Sequence, residues 1–176
     1  MKKFFLSVFA CALAFGAVAQ EAANQPQGTW YLGSADATDV VNVFSTGLTT
    51  VSPTIGYAVA DNIVVSLSLS GMSMSHTHDG TLEDETSMVS YGLSGAYFLD
   101  GNYYVGAGVS MSSATATGAD DASGFGFGIE AGKFIPIREN WYINPNINYG
   151  SSELDAGTEV DAVSEFGLSI GFGARF

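Results

Sequence analysis

The chain has 176 residues, with 18 acidic residues against 5 basic ones and a formal net charge of −13. That length is room for one domain, and so acidic a surface argues against nucleic acid as a partner. Acidity of this order also occurs in disordered chains, but aromatic residues make up 12% of the sequence and β-branched residues are frequent, which argues for a packed fold.

The first twenty residues read MKKFFLSVFACALAFGAVAQ. Lys2 and Lys3 form a basic start, Phe4 to Phe15 an apolar run, and Ala17-Val18-Ala19 a small-x-small cleavage site before Gln20. This is the form of a secretory signal peptide over 1–19. The apolar run is too short to span a bilayer comfortably, and no basic flank follows it. A lipoprotein cut before Cys11 is the alternative; it leaves an apolar region of only about seven residues, with bulky Phe9 beside the small residue. Cleavage after Ala19 removes the single cysteine, so no disulfide supports the fold. The mature chain then keeps three basic residues, Lys133, Arg138 and Arg175, against 18 acidic ones, a net charge of −15.

Residues 20–27 form a short N-terminal segment. From there one pattern repeats to the end, with strand-like runs of alternating apolar and small or polar residues. The runs fall at 28–35, 47–60, 63–75, 87–99, 103–115, 123–137, 141–150 and 164–176. Tight turns join them at Asp61-Asn62, Asp100-Gly101-Asn102 and Arg138-Glu139-Asn140. Four longer polar stretches, DATDVVNVFST, HTHDGTLEDET, one around GADDA, and SSELDAGTEVDAV, make the other connections. Eight runs joined in this alternation put the three turns and both termini at one end and the four stretches at the other. The pattern predicts 28–176 to be an all-β fold, an eight-stranded antiparallel up-and-down transmembrane β-barrel.

Alternation alone does not say which face meets lipid, because a soluble barrel alternates with its apolar face inside. Charge separates the two cases: the predicted strands carry only Glu130, Lys133, Glu165 and Arg175, far fewer than a solvated outer face needs. Residue size agrees. The polar row is Gly, Ser, Thr and Asn, for instance Ser66, Ser68 and Ser70, or Asn144, Asn146 and Asn148, which suits a narrow interior. Tyr57, Tyr97, Tyr103, Trp141 and Phe176 sit near the turn ends of their strands, and Phe125, Tyr149 and Phe166 near the loop ends, the distribution of two interfacial girdles. Outward rows then read Ile63, Val65, Leu67 and Leu69, or Val105, Val109 and Met111. A change of phase at Gly71, where Met72 and Met74 take over from Leu69, predicts a bulge there. Pro53 and Pro145 lie mid-strand and each removes a ladder donor, which calls for further local bulges.

The final residues, EFGLSIGFGARF, alternate to a last phenylalanine. Together with the signal peptide and the eight runs they resemble the small eight-stranded outer-membrane barrels: the OmpX, opacity-protein and OmpA N-terminal-domain group, or outer membrane protein beta-barrel domain. The resemblance implies that the last strand, with Phe172 and Phe176, is the segment the barrel-assembly machinery recognises. It also implies a non-enzymatic, structural or surface-interaction role of adhesion type.

Within such a barrel Glu130, Glu165 and Arg175 face inward on this register. Buried charges need partners, so an interior network is expected in which Arg175 meets a carboxylate, Glu130 by depth. A narrow porin for small solutes is the transport alternative. His76 and His78, with Asp79, Glu83, Asp84 and Glu85 nearby, have the residue types of a surface metal site, but no second His pair or Cys supports one, and a solvated loop accounts for them. Ser75 with those histidines and Asp79 is the local candidate for a lipid-modifying enzyme; no G-x-S-x-G signature accompanies it. No cofactor is called for. Asp36, Asp39, Asp120, Asp121, Glu153, Asp155, Glu159 and Asp161 also fall in the four loop stretches. Expected partners are outer-membrane lipid, surface glycolipid bridged by divalent cations, the assembly machinery and an unidentified surface partner.

Overall fold

A computed structural model describes residues 24–34, 49–78, 81–118, 121–155 and 160–176. The predicted signal peptide, and Asp36, Asp39, Asp79, Asp120 and Glu159, lie outside the described residues. The strands are β1 (Trp30–Ser34), β2 (Thr49–Val51 and Pro53–Ala60), β3 (Ile63–His78), β4 (Thr81–Phe98), β5 (Tyr103–Ala116), β6 (Ala122–Lys133, extended by Ile135–Pro136), β7 (Trp141–Asp155) and β8 (Val160–Arg175). Each pairs antiparallel with its neighbours in sequence, and β8 returns to β1 through Tyr31↔Arg175 to Ser34↔Phe172. Trp30 and Phe176 complete the seam by exchanging both backbone bonds at 3.0 Å. The result is the closed eight-stranded antiparallel barrel that the alternation predicts. In hydrocarbon no water is present to satisfy an open edge, so closure is obligatory.

The turns follow from local chemistry. Asn62 and Asn102 both adopt φ of 62°, and Gly101 takes φ of 73°; asparagine and glycine enter this left-handed region at the least cost. All three tight turns and the described N- and C-terminal segments lie at one end, since Asn62 N–H donates to Gln25 O and Arg175 N–H to Asn140 O, both at 2.8 Å.

Side chains separate as the alternation requires. Leu168 is 77% exposed, Phe166 70% and Met111 67%, while Tyr31, Val64, Phe98, Tyr104 and Tyr142 are buried inside. An outer belt this apolar suits lipid as its solvent and would be a liability in water.

Three expectations need correction. Most of the HTHDGTLEDET stretch is strand, not loop: β3 continues to His78 and β4 begins at Thr81, with His76↔Asp84 and His78↔Thr81 in the ladder. Similarly β7 reaches Asp155 and β8 starts at Val160. Backbone pairing propagates past the membrane edge whatever the side chains are, whereas the apolar alternation stops there. Second, Gly71 holds no bulge. It pairs in register with Val51 on one side and Val89 on the other, and the register shifts fall at Ala58/Ala60 and His76/Thr77. Met72 therefore stays on the inward row, opposite Met88. Third, neither proline brings an extra residue. The pairs flanking Pro53 keep one register. At Pro145 the β6–β7 ladder ends at Gly132↔Asn146 and resumes at Ile135↔Ile143, skipping the positions between.

Inward glycines on the narrow wall are tightly constrained. A Cβ on Gly173 would lie 2.6 Å from the Tyr142 hydroxyl and 2.8 Å from the Leu32 carbonyl oxygen, whereas one on Gly95 meets nothing within 4 Å. Gly173→Ala is expected to lower stability by about 1–3 kcal/mol and Gly95→Ala to change it by less than about 0.5 kcal/mol, both measured by urea unfolding of barrels folded into lipid. Equal effects at the two sites would contradict the register.

Candidate functional site

The inward face of β7 reads Tyr142, Asn144, Asn146, Asn148, because the sequence WYINPNINY alternates about the strand. Asn148 Nδ2 donates to Asn146 Oδ1 at 3.2 Å, and Ser169 Oγ on β8 donates to the same oxygen at 2.8 Å. Asn146 Nδ2 donates to the Asn144 carbonyl at 3.3 Å. Asn144 Nδ2 then donates to the Tyr104 hydroxyl at 3.0 Å, which itself donates to Glu130 Oε2 at 3.3 Å. A polar spine thus runs from β8 across β7 to β5 and β6. Gly106 makes room for it, since a Cβ there would stand 3.0 Å from Glu130 Oε1. Asn144 Oδ1 is buried without a hydrogen-bond partner. The spine borders an interior chamber of about 420 Å³, whose other walls include Ser66, Ser68, Ser94 and Ser110.

At the turn end aromatic side chains close the chamber. Phe134, opposite Asn144 where the β6–β7 ladder is interrupted and with its N–H donating to the Asn102 carbonyl at 2.9 Å, is their hub. It stacks on Tyr142 at 4.2 Å with rings 10° apart, meets Phe98 edge-on at 4.9 Å, Tyr104 at 5.5 Å and Tyr31 at 6.1 Å. Each such pair adds roughly 0.5–1.5 kcal/mol beyond its area. Beyond this plug lies Gln25, 0% exposed. Its backbone N–H donates to Asn62 Oδ1 at 3.1 Å and its Nε2 to Asn102 Oδ1 at 3.2 Å. Its Oε1 accepts from the Tyr31 hydroxyl and, at 3.5 Å, from Arg175 Nη1. The left-handed turn asparagines thus also latch the N-terminal segment. Gln27 adds bonds to Asp61 Oδ1 at 2.9 Å and to the Val59 carbonyl at 3.0 Å.

Arg175 therefore does not meet the carboxylate expected for it. Glu130 is level with Asn148, while Arg175 lies past the Ala174↔Trp141 pair, with the aromatic layer between. Gln25 serves the guanidinium and Tyr104 the carboxylate. Glu165 shares the chamber wall but is exposed, toward the loop end. Of the aromatics expected at the turn-side interface, Tyr57 packs on Trp30 at 4.7 Å, Tyr103 lies 4.2 Å below Lys133 Nζ, and Trp141 stacks on Phe172 at 5.1 Å. Tyr97 pairs with Ile63 and Val105. The ring of Phe176 is exposed, as is that of Tyr149. Ser75, His76 and His78 lie on β3.

The plug and latch were missed by the alternation, although a signal was present. Trp30-Tyr31, Tyr97-Phe98, Tyr103-Tyr104 and Trp141-Tyr142 are aromatic doublets at turn-side strand ends. Consecutive residues of a strand face opposite ways, so each doublet gives one ring to the interface and one to the plug.

The model of the outer membrane protein beta-barrel domain family matches residues 7–176. The chain belongs to that family. Among solved structures, this barrel is similar to the solid-state NMR structure of outer membrane protein AlkL in DMPC lipid bilayers, with 17% identity, a TM-score of 0.48, and 90% of this chain and 94% of that one covered. It is also similar to the crystal structure of Ail, the attachment invasion locus protein of Yersinia pestis, with 15% identity, a TM-score of 0.46, and 85% and 99% covered. No curated protein matches the sequence.

For this outer-membrane barrel the latch is open to test. Gln25→Ala leaves Tyr31, Arg175 and Asn102 short of partners and is expected to lower stability by about 1–3 kcal/mol. Gln27→Ala, at an exposed position, is expected to cost about 0.5 kcal/mol. Urea midpoints at constant slope measure both; a Gln25→Ala midpoint equal to wild type would show that the latch contributes nothing.

Proposed function

We propose that this outer-membrane barrel is non-enzymatic and works as a structural or surface-interaction protein of adhesion type. Its turn end and both termini face the periplasm and its acidic loop end faces outward, the signal peptide over 1–19 having been removed. The observation that supports this best is the plugged interior. Phe134 and its aromatic neighbours, with Gln25 behind them, fill the cross-section at the turn end, so the fold offers a partner its outer surface and rim rather than a lumen. The charge distribution agrees. Glu83, Asp84, Glu85, Glu153, Asp155 and Asp161 fall on the strand extensions at the loop end, while Arg138 and Arg175 lie at the turn end. Carboxylates gathered there recruit divalent cations between the protein and anionic surface glycolipid.

Two measurements test this. In planar bilayers the wild-type barrel is expected to be electrically silent, and Phe134→Ala with Tyr142→Ala is expected to produce current steps by opening the plug. Wild-type steps of the same size would establish the porin reading instead. Replacing Glu83, Asp84 and Glu85 by their amides is expected to weaken Ca²⁺-dependent association of the barrel with glycolipid vesicles; unchanged Ca²⁺ dependence would remove the cation bridge from the account.

A further inference from the structure

The outer wall is not uniform. Where Pro145 interrupts the β6–β7 ladder, a groove of about 820 Å³ opens on the outside of β5 to β8, a size typical of ligand clefts. Two small side chains, Ala131 and Pro145, form its bed, and Val105, Leu168 and Ile170 rise beside them. Lys133 stands at one end with Nζ 4.2 Å above the ring of Tyr103. On the described strands Lys133 is the one basic residue of the outward row, in a mature chain whose net charge is −15.

The direction of the groove is informative. Lys133 is the partner of Tyr103, the first residue of β5 after a tight turn, so it sits at the turn-side interface. Ala131 is level with Ile147, and Leu168 with Ile147 in turn, each further from the turn end. The cation therefore marks the interface and the apolar bed runs toward the membrane midplane. A phospholipid has the same polarity, with its phosphate at the interface and its chain directed inward. Lysine near an interface extends its charge to that level, and each such charge favours an anionic lipid about fivefold.

We propose that this groove is a specific phospholipid site, with one acyl chain lying over Ala131 and Pro145 and the lipid phosphate bound by Lys133. The site belongs to the turn-side leaflet, and only its assignment to the periplasmic leaflet rests on the orientation proposed above.

Native mass spectrometry of the full folded chain, released from mild detergent after incubation with dioleoylphosphatidylglycerol, tests it. Wild type is expected to keep one saturable lipid and to keep dioleoylglycerol, which has the same chains and no phosphate, about fivefold less well. Lys133→Gln is expected to weaken retention about fivefold and Ala131→Phe to abolish it by filling the bed. Arg138→Gln removes the same charge outside the groove and is expected to retain lipid like wild type. Heat-dependent gel mobility confirms that each variant is folded. Equal retention by wild type, Lys133→Gln and Ala131→Phe, or a loss in Arg138→Gln matching that in Lys133→Gln, would overturn the site. Neither result depends on which way the barrel faces or whether it conducts.

Discussion

Hydrocarbon cannot hydrogen-bond a peptide group, and that fact organises this molecule. Every strand needs two neighbours, so the eighth must return to the first. The seam is short, four registered pairs and then the reciprocal bonds of Trp30 with Phe176. Those bonds account for the alternation being maintained to the last residue: Phe176 supplies a backbone donor and acceptor to the seam and a ring to the outer face. The same constraint lets the hairpins grow beyond the apolar belt. A pairing begun in the membrane continues in water as far as His78↔Thr81 and Asp155↔Val160, so the acidic residues are carried on extended ladders.

Eight strands enclose too little space for large side chains along the whole axis. The chain resolves this by dividing the interior. Over most of the length the inward row is serine, glycine and asparagine, and room remains for a hydrogen-bonded polar spine from Ser169 to Glu130. At the turn end large rings take over, and the backbone must yield to admit them. Gly173 and Gly132 give up their side chains there; a Cβ on Gly132 would approach the Tyr104 ring and the Pro145 carbonyl oxygen to 2.8 Å.

The barrel, its strand number and its lipid-facing rows were legible because they rest on a period of two sustained over eight segments. What was not legible depended on contacts between distant segments. Nothing local to Gln25 shows that Asn62 and Asn102 will present their side-chain oxygens to it, since those orientations follow from left-handed turns 37 and 77 residues away. Arg175 and Glu130 bond to Gln25 and Tyr104, and depth along the strands does not pair them with each other, because the aromatic layer stands between. At Gly71 the change of apolar phase suggested a bulge because the lipid-facing rule was applied beyond the membrane edge. There the outer face has no need to be apolar, and Met72 can turn inward without shifting the register.

Pro145 joins the two faces of the wall. A proline opposite β6 withholds the donor that the ladder position needs, and the strand meets the loss by leaving two positions unpaired. On the inside, Phe134 continues the inward row of Glu130 and Gly132, its N–H held by the Asn102 carbonyl at 2.9 Å, and Tyr31, Phe98, Tyr104 and Tyr142 pack about it. On the outside, a small ring beside Ala131 leaves the wall thin between Val105 and Ile170. Plug and groove thus meet at one interruption of the β6–β7 ladder, the plug set by the inward row and the groove by the missing N–H. A residue with a donor at 145 would restore the bond to Lys133, which stands opposite it, and a larger side chain on the outward row would fill the groove. The interruption that made Pro145 hardest to reconcile with a strand is therefore what gives this barrel a shaped outer surface, while the alternation through Phe134 closes its interior.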